Sequence, residues 1–151
     1  MVLDDTALYK AFGQAIDDSD WVYALEVARQ IVKEHPRHPL AHYCLGVAHE
    51  CLEEWSDAIL AYRDVERIDA EIWDKKNRAT LPQSALFALE TECAVIGAIH
   101  NIVPCYDRMG LRESAIAAYR RILEHDSENW PAKEALSRLL KDPNQLEFEL
   151  N

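Results

Sequence analysis

The residues best suited to metal binding or catalysis are the histidines between positions 35 and 51. His38 and His42 are four residues apart, so in a helix they would share one side and could hold a single metal ion. His49 follows His42 by two helical turns on that side. A histidine on an apolar helix face packs against a neighbouring helix more often than it binds metal. We therefore predict that His42 and His49 are packing residues and that the chain has no metal site.

Carboxylate pairs are the second candidate for chemistry. Asp17-Asp18 and Glu53-Glu54 could supply an acid and a base, but both pairs fall where turns are expected and are more typical of solvated loop charges. Motifs for phosphate, dinucleotide or nucleophilic-serine chemistry do not occur, and His49-Glu50 lacks the second histidine of a metalloprotease. We predict no catalytic residues, no enzymatic activity and no cofactor.

Composition favours a helical protein with a protein partner. The chain has 151 residues, of which 49% are hydrophobic, while glycine and proline number only 4 and 6. These values predict one globular domain that is mostly helix. The formal charge of -11 argues against nucleic acid as a partner, because phosphate binding needs a basic surface.

The sequence predicts a cytoplasmic protein without membrane insertion. Its first residues do not resemble a secretory signal, and no stretch reaches the roughly 18 apolar residues that cross a bilayer. Its cysteines form no C-x-x-C pair and are expected to be reduced residues of the core.

An internal repeat organises the helices that would position these residues. The segment beginning at Trp21 matches the segment beginning at Trp55, a shift of 34 residues, and the segment at Arg112 follows the same pattern. A small alanine opens the apolar stripe of each: Ala24, Ala58 and Ala115. A second apolar stripe lies upstream of each alanine, so each unit is predicted to be two amphipathic helices.

The second unit resembles the tetratricopeptide repeat. It contains H-x2-L-G-x2-H followed by A-x3-Y, with His42 and His49 where the family has tryptophan and tyrosine. The resemblance implies an all-α fold, a right-handed α-solenoid of antiparallel helix pairs with a concave groove. The predicted domain is 1–151, with repeats at about 5–38, 39–72 and 96–129, an insertion at about 73–95, a capping helix at about 130–141 and a tail at 142–151.

The insertion is predicted to begin a long helix. Thr80-Leu81-Pro82-Gln83 has the pattern of a helix start, and the helix should continue into the third repeat until Gly110 ends it. Pro104 should kink this helix. The apolar segment 81–95 has two open interpretations, packing against neighbouring repeats or a contact that covers the groove or joins two copies.

The resemblance also implies which side chains line the groove. The predicted protein-binding residues are Tyr9, Leu40, Tyr43, Val47, His100 and Arg138. Exposed aromatic residues in a concave surface are typical anchors for a peptide. The alternative is that Tyr9 and Tyr43 pack on each other or on an element that covers the groove.

The predicted function is a non-enzymatic adaptor or scaffold that binds a peptide or a partner protein in this groove. Two alternatives remain open. One is a chaperone similar to the small acidic tetratricopeptide chaperones of bacterial secretion systems. The other is a self-assembling structural protein in which the tail segment Leu146–Leu150 docks in a neighbour's groove.

Overall fold

Helices account for nearly all of the chain that the computed structural model describes, which is residues 5–73 and 85–141. They are α1 (Asp5–Asp17), α2 (Trp21–Glu34), α3 (Pro39–Cys51), α4 (Trp55–Trp73), α5 (Ala85–Arg108), α6 (Arg112–His125) and α7 (Trp130–Leu140). The described ranges contain no strand, so the predicted all-α class is confirmed for them. The predicted helix start at 80–83 and the tail at 142–151 lie outside these ranges.

Polar side chains define where several helices begin. Asp20 accepts a hydrogen bond from the backbone N–H of Tyr23 at the start of α2, and Asn129 does the same for Ala132 at the start of α7. Each cap satisfies an N–H group that has no partner within its helix. Pro39 and Pro131 occupy first-turn positions of α3 and α7, where a missing N–H costs little.

The long helix predicted to enter the third repeat is present as α5, whose described part extends from Ala85 to Arg108. The helix continues through Pro104, which has no N–H to donate to the His100 carbonyl. Gly110 follows the helix with φ +67°, a left-handed conformation that ends helices. The predicted stop at this glycine is therefore confirmed.

Each helix packs mainly on the next one along the chain, and α3 also contacts α5. The three repeat alanines, Ala24, Ala58 and Ala115, are all fully buried. At Gly46 the approach is so close that an added Cβ would lie 2.4 Å from the Tyr62 ring. The missing side chain of Gly46 therefore lets α3 and α4 approach closely.

Within residues 5–73 and 85–141, no helix is both long enough and apolar enough to cross a membrane.

Candidate functional site

A cavity of about 510 Å³ lies where α1 meets the start of α3 and the early part of α5. It is open to solvent on one side and combines apolar, basic and acidic side chains. The lining residues are Thr6, Tyr9, Lys10, His35, His38, Leu40 and Glu90. A concave site with an apolar surface and a few polar groups is the usual form of a binding pocket. We call it the α1–α3 cavity.

Tyr9 and Leu40 form the apolar part of the α1–α3 cavity. Both are half-buried, and both also pack against the small core cluster between α2 and α3. Their outer surfaces therefore face the cavity while their inner surfaces are fixed by packing. The sequence assigned both residues to one binding groove, and the structure brings them together.

His38 connects two elements at the rim of the cavity. Its Nδ1 accepts a hydrogen bond of 3.1 Å from the Leu40 backbone N–H, which caps α3. Because Nδ1 accepts, the proton of the neutral ring is on Nε2. That nitrogen lies 3.5 Å from Oε2 of Glu90 on α5. His38 therefore links the beginning of α3 to the early part of α5.

Tyr43 and Val47 lie in a different environment from the cavity. Both pack against the main core cluster, to which α4, α5 and α6 contribute most residues. The Tyr43 ring contacts Gly97 so closely that an added Cβ would lie 2.7 Å from its Cε2 atom. Tyr43 therefore packs on α5, whereas the alternative predicted from the sequence was packing on Tyr9 or on an element that covers the groove. These two residues are therefore structural anchors as well as members of the predicted groove.

A polar network surrounds the Tyr43 hydroxyl. Asn101 donates from Nδ2 to the hydroxyls of Tyr43 and Tyr62, at 3.3 Å in each case. Tyr62 in turn donates to Oε2 of Glu50 at 2.6 Å. Burial raises the pKa of Tyr43 and Tyr62, and the bond to Glu50 raises that of Tyr62 further. Both phenols therefore stay protonated at neutral pH and act as hydrogen-bond groups.

The other two predicted groove residues lie elsewhere. His100 is exposed and lines a separate cavity of about 180 Å³ between α5, α6 and the start of α7. Arg138 is exposed on α7 and forms an ion pair with Glu134 one turn earlier. Among the described residues, the predicted set is therefore divided between the α1–α3 cavity, the α3–α5 contact and the region around α7.

The histidines predicted to pack are buried. His42 and His49 are each only 8% exposed. Nε2 of His42 donates to the Pro36 carbonyl at 2.8 Å, and Nδ1 of His49 lies 2.6 Å from Oε2 of Glu54. The bond to Glu54 closes the turn between α3 and α4, so that carboxylate has a structural partner, whereas the sequence predicted a solvated charge.

His49, Glu54 and Asp57 place one ligand atom each within 4.8 Å of one another, the one such group found in the described ranges. Both carboxylates are exposed, and the short bond between His49 and Glu54 already accounts for the geometry. The prediction that the chain has no metal site remains a prediction.

The cysteines divide into two kinds. Cys44 and Cys105 are buried, and burial raises the pKa of each thiol to about 12. Their thiols are protonated and unreactive at neutral pH. Cys93 is exposed and Cys51 half-buried, so the prediction of core cysteines holds for Cys44 and Cys105 only.

Sequence reasoning missed the basic and acidic side chains of the α1–α3 cavity. Lys10 lies one residue after Tyr9 and was not assigned to the groove, whereas His35 and His38 were considered only as metal ligands. Glu90 belongs to the insertion, whose position against α3 has no counterpart in the repeat pattern. One signal was present, because a histidine directly before Pro39 has the sequence context of a helix cap.

No model of a known protein family matches the chain, and a search of curated proteins finds no match.

Proposed function

We propose that the chain is a non-enzymatic protein-interaction module, an adaptor or scaffold, which binds a peptide segment of a partner in the α1–α3 cavity. In this proposal the helices form a right-handed α-solenoid of antiparallel pairs, similar to tetratricopeptide repeats. Support comes from the full burial of Ala24, Ala58 and Ala115 at equivalent repeat positions and from contacts between successive helices.

The observation that carries the proposal is the cavity itself. Its 510 Å³ suit one or two side chains of a bound peptide, and Tyr9 offers an aromatic surface already fixed by packing. A rigid aromatic anchor loses little entropy on binding, which favours affinity. Lys10, His38 and Glu90 supply polar groups that would orient the peptide.

The test is to fill the cavity without removing any packing. Thr6 is exposed and lines the cavity, so Thr6→Trp should occupy the space while leaving the core unchanged. Ser137→Trp on the exposed side of α7 is the matched control, since it adds the same side chain away from the cavity. Substitutions at Tyr43 or Val47 are less suitable because they would also remove core contacts.

Partners recovered from a lysate of the native host would be identified by mass spectrometry, purified and titrated with all three proteins. We expect the wild type and Ser137→Trp to bind alike, and Thr6→Trp to bind at least tenfold more weakly, a loss of about 1.4 kcal/mol. Equal binding by Thr6→Trp, with unchanged circular dichroism, would reject the cavity as the site.

A further inference from the structure

Asp107 lines the cavity of about 180 Å³ between α5, α6 and the start of α7, which we call the α5–α7 cavity. Among the residues that the structure describes, none donates a hydrogen bond to the Asp107 carboxylate or forms an ion pair with it. The residue keeps exposed surface, yet partial burial raises the pKa of its carboxyl group. A carboxylate that loses water without gaining a partner is destabilised. A ligand with a positive charge would supply the partner that the described residues do not.

The other polar side chains of the α5–α7 cavity do not neutralise this charge, since its lining contains neither lysine nor arginine. Asn129 already has partners, because its oxygen accepts from the Ala132 backbone N–H at 3.0 Å and its amide donates to Oδ2 of Asp126 at 3.3 Å. Burial and the nearby carboxylate of Asp107 both raise the pKa of Tyr119, which therefore stays a neutral phenol. Apart from one histidine, the lining offers no group that could become positive.

The backbone of α5 adds to the negative potential. Pro104, which also lines the cavity, has no N–H to donate to the carbonyl of His100, another lining residue. The helix ends at Arg108, one residue after Asp107, so its last turn lies beside this carboxylate. The carbonyls of a last turn carry a partial negative charge that favours cations. At the start of α7, the Asn129 cap already satisfies one of the N–H groups that would favour an anion.

The basic residues next to the lining in sequence do not line the α5–α7 cavity. The guanidinium group of Arg108 lies over the Trp55 ring, 5.6 Å from its centroid. Nζ of Lys133 lies 3.4 Å from Oε2 of Glu128. Arg120 is exposed on α6. The described part of the chain therefore leaves this negative site open to a cation from outside.

We propose that the α5–α7 cavity binds a lysine or arginine side chain of a partner protein. The ammonium or guanidinium group forms an ion pair with Asp107, and the Tyr119 hydroxyl accepts a second hydrogen bond from it. The aliphatic stem of the same side chain packs on Val103, Pro104 and Pro131, which line the cavity. A volume of about 180 Å³ suits a single side chain.

Two further features favour a basic partner at this place. Trp130 lies between the lining residues Asn129 and Pro131 in sequence and is 67% exposed, and tryptophan is a frequent anchor in protein interfaces. The formal charge of -11 attracts basic segments and repels acidic ones. This inference goes beyond the proposed function, because the α5–α7 cavity is separate from the α1–α3 cavity.

The first test titrates the isotopically labelled full chain with the peptide acetyl-Leu-Arg-Leu-amide at about pH 8, where histidines are ordinarily neutral. The same peptide with citrulline in place of arginine is the control, because citrulline has the shape of arginine without its charge. We expect the arginine peptide to shift the amide resonances of Asp107, Tyr119 and Ala132 saturably, and the citrulline peptide to bind at least about fivefold more weakly. Equal binding of the two peptides, or the absence of a saturable shift, would overturn the proposal.

Two substitutions separate a defined site from general charge attraction. Asp107→Asn removes the carboxylate and should weaken binding of the arginine peptide by at least about fivefold. Asp17→Asn, at an exposed position at the end of α1, changes the net charge equally and should bind the peptide as the wild type does. Equal losses in the two variants would mean that the acidic chain attracts the peptide without a defined site, which contradicts the proposal.

The stability of the Asp107→Asn variant provides a second measurement. Because no described group pairs with this carboxylate, the substitution should leave the midpoint of urea unfolding unchanged or raise it slightly. A lowered midpoint would show that the carboxylate already has a partner within the chain, and the site would then not be open to a ligand.

The Thr6→Trp variant distinguishes this inference from the proposed function. It fills the α1–α3 cavity and should leave binding of the arginine peptide unchanged, so a loss in this variant would place the peptide in the wrong cavity and reject the inference. If the peptide fails to bind the wild type while an identified partner is still lost with Thr6→Trp, only the site for a basic side chain is rejected.

Discussion

Tyr9 and Tyr43 occupy equivalent positions of the sequence repeat, 34 residues apart, yet their surroundings differ. Tyr9 faces a cavity of about 510 Å³. Tyr43 is in close contact with the backbone of α5 at Gly97, and its hydroxyl accepts a hydrogen bond from Asn101. The same side chain therefore lines a cavity in one repeat and makes a packed contact in the next.

The two tyrosines face different residues on the first helix of the next repeat, which is α3 for Tyr9 and α5 for Tyr43. The third repeat is offset from the second by 57 residues, so Gly97 corresponds to Leu40 and Asn101 to Cys44. A glycine allows the Tyr43 ring to approach α5, and the amide supplies a partner for its hydroxyl. At the equivalent position of α3, Leu40 lines the cavity together with Tyr9.

The largest expected effect concerns the thiol of Cys44, the residue at the repeat position equivalent to Asn101. Burial raises its pKa to about 12. The thiolate fraction falls as the pKa rises, and the side chain is buried, so alkylation should be at least about tenfold slower than for an exposed thiol. Mass spectrometry of the protein treated with N-ethylmaleimide should show the exposed Cys93 labelled first. Equal rates for Cys93 and Cys44 in the native protein would contradict the burial of Cys44, and denaturant should remove the difference.

The same raised pKa has a consequence for stability at high pH. The folded pKa lies above the ordinary thiol value of 9.0, so the unfolded chain ionises first. The contribution of Cys44 to the free energy of unfolding is complete below pH 9.0 and is lost as pH rises towards 12. Cys44→Ala should flatten this decline in urea unfolding measured across that pH range, and an unchanged slope would exclude the thiol as its cause.

Truncating the two equivalent tyrosines should give unequal losses of stability. Tyr43→Ala removes a ring packed on the main core cluster and leaves the Asn101 amide with one fewer partner, so we expect a cost of about 3 kcal/mol. Tyr9→Ala enlarges an existing cavity and should cost about 1–2 kcal/mol. Urea unfolding measures both values. Equal losses would show that the two tyrosines contribute alike.

Two glycine-to-alanine substitutions test the close contact between Tyr43 and α5. Gly97→Ala places a methyl group 2.7 Å from the Tyr43 ring and should destabilise the fold by about 1–3 kcal/mol. Gly13→Ala in α1 meets no atom within 4 Å and should stabilise by up to about 1 kcal/mol through helix propensity. Thermal unfolding followed by circular dichroism distinguishes the two, and opposite signs are the expected result. A neutral Gly97→Ala would mean that Tyr43 moves aside without cost.

The smallest effect is expected at the rim of the cavity. His38→Ala removes the cap of α3 and should cost about 1 kcal/mol. His38→Asn restores a good capping side chain but is too short to reach Glu90 on α5. If capping is the main role of His38, the unfolding free energy of His38→Asn should return to within about 0.5 kcal/mol of the wild type. A loss equal to that of His38→Ala would assign the role to the Glu90 contact.

The sequence was sufficient to predict the helices because each local signal agrees with the next. Apolar spacing, the small alanines, and Gly110 all indicated where helices pack or end, and these features recur in the structure. The burial of His42 and His49 followed from their place in the apolar stripe. Such properties depend on neighbours within one helix pair, which is the range that a repeat pattern covers.

The site was harder to predict because it depends on contacts between repeats. Tyr9 and Tyr43 have the same position in the repeat, but Gly97 and Asn101 of α5 contact Tyr43, whereas Tyr9 lies beside a cavity. Glu90 reaches the cavity from the insertion, whose placement against α3 follows from tertiary packing. Comparing Leu40 with Gly97 at equivalent positions would have indicated the difference from the sequence.

The distribution of buried residues also determines which backbone amides exchange with solvent first. The main cluster joins α4, α5, α6 and α7, whereas α1 and α2 are held to α3 by two smaller clusters. Segments held by fewer buried apolar contacts open at a lower free energy than the global transition. Amide protons of α1 should therefore exchange with solvent before those of α5. The chain would loosen from the end that carries the α1–α3 cavity, so a ligand bound there would slow the exchange of α1.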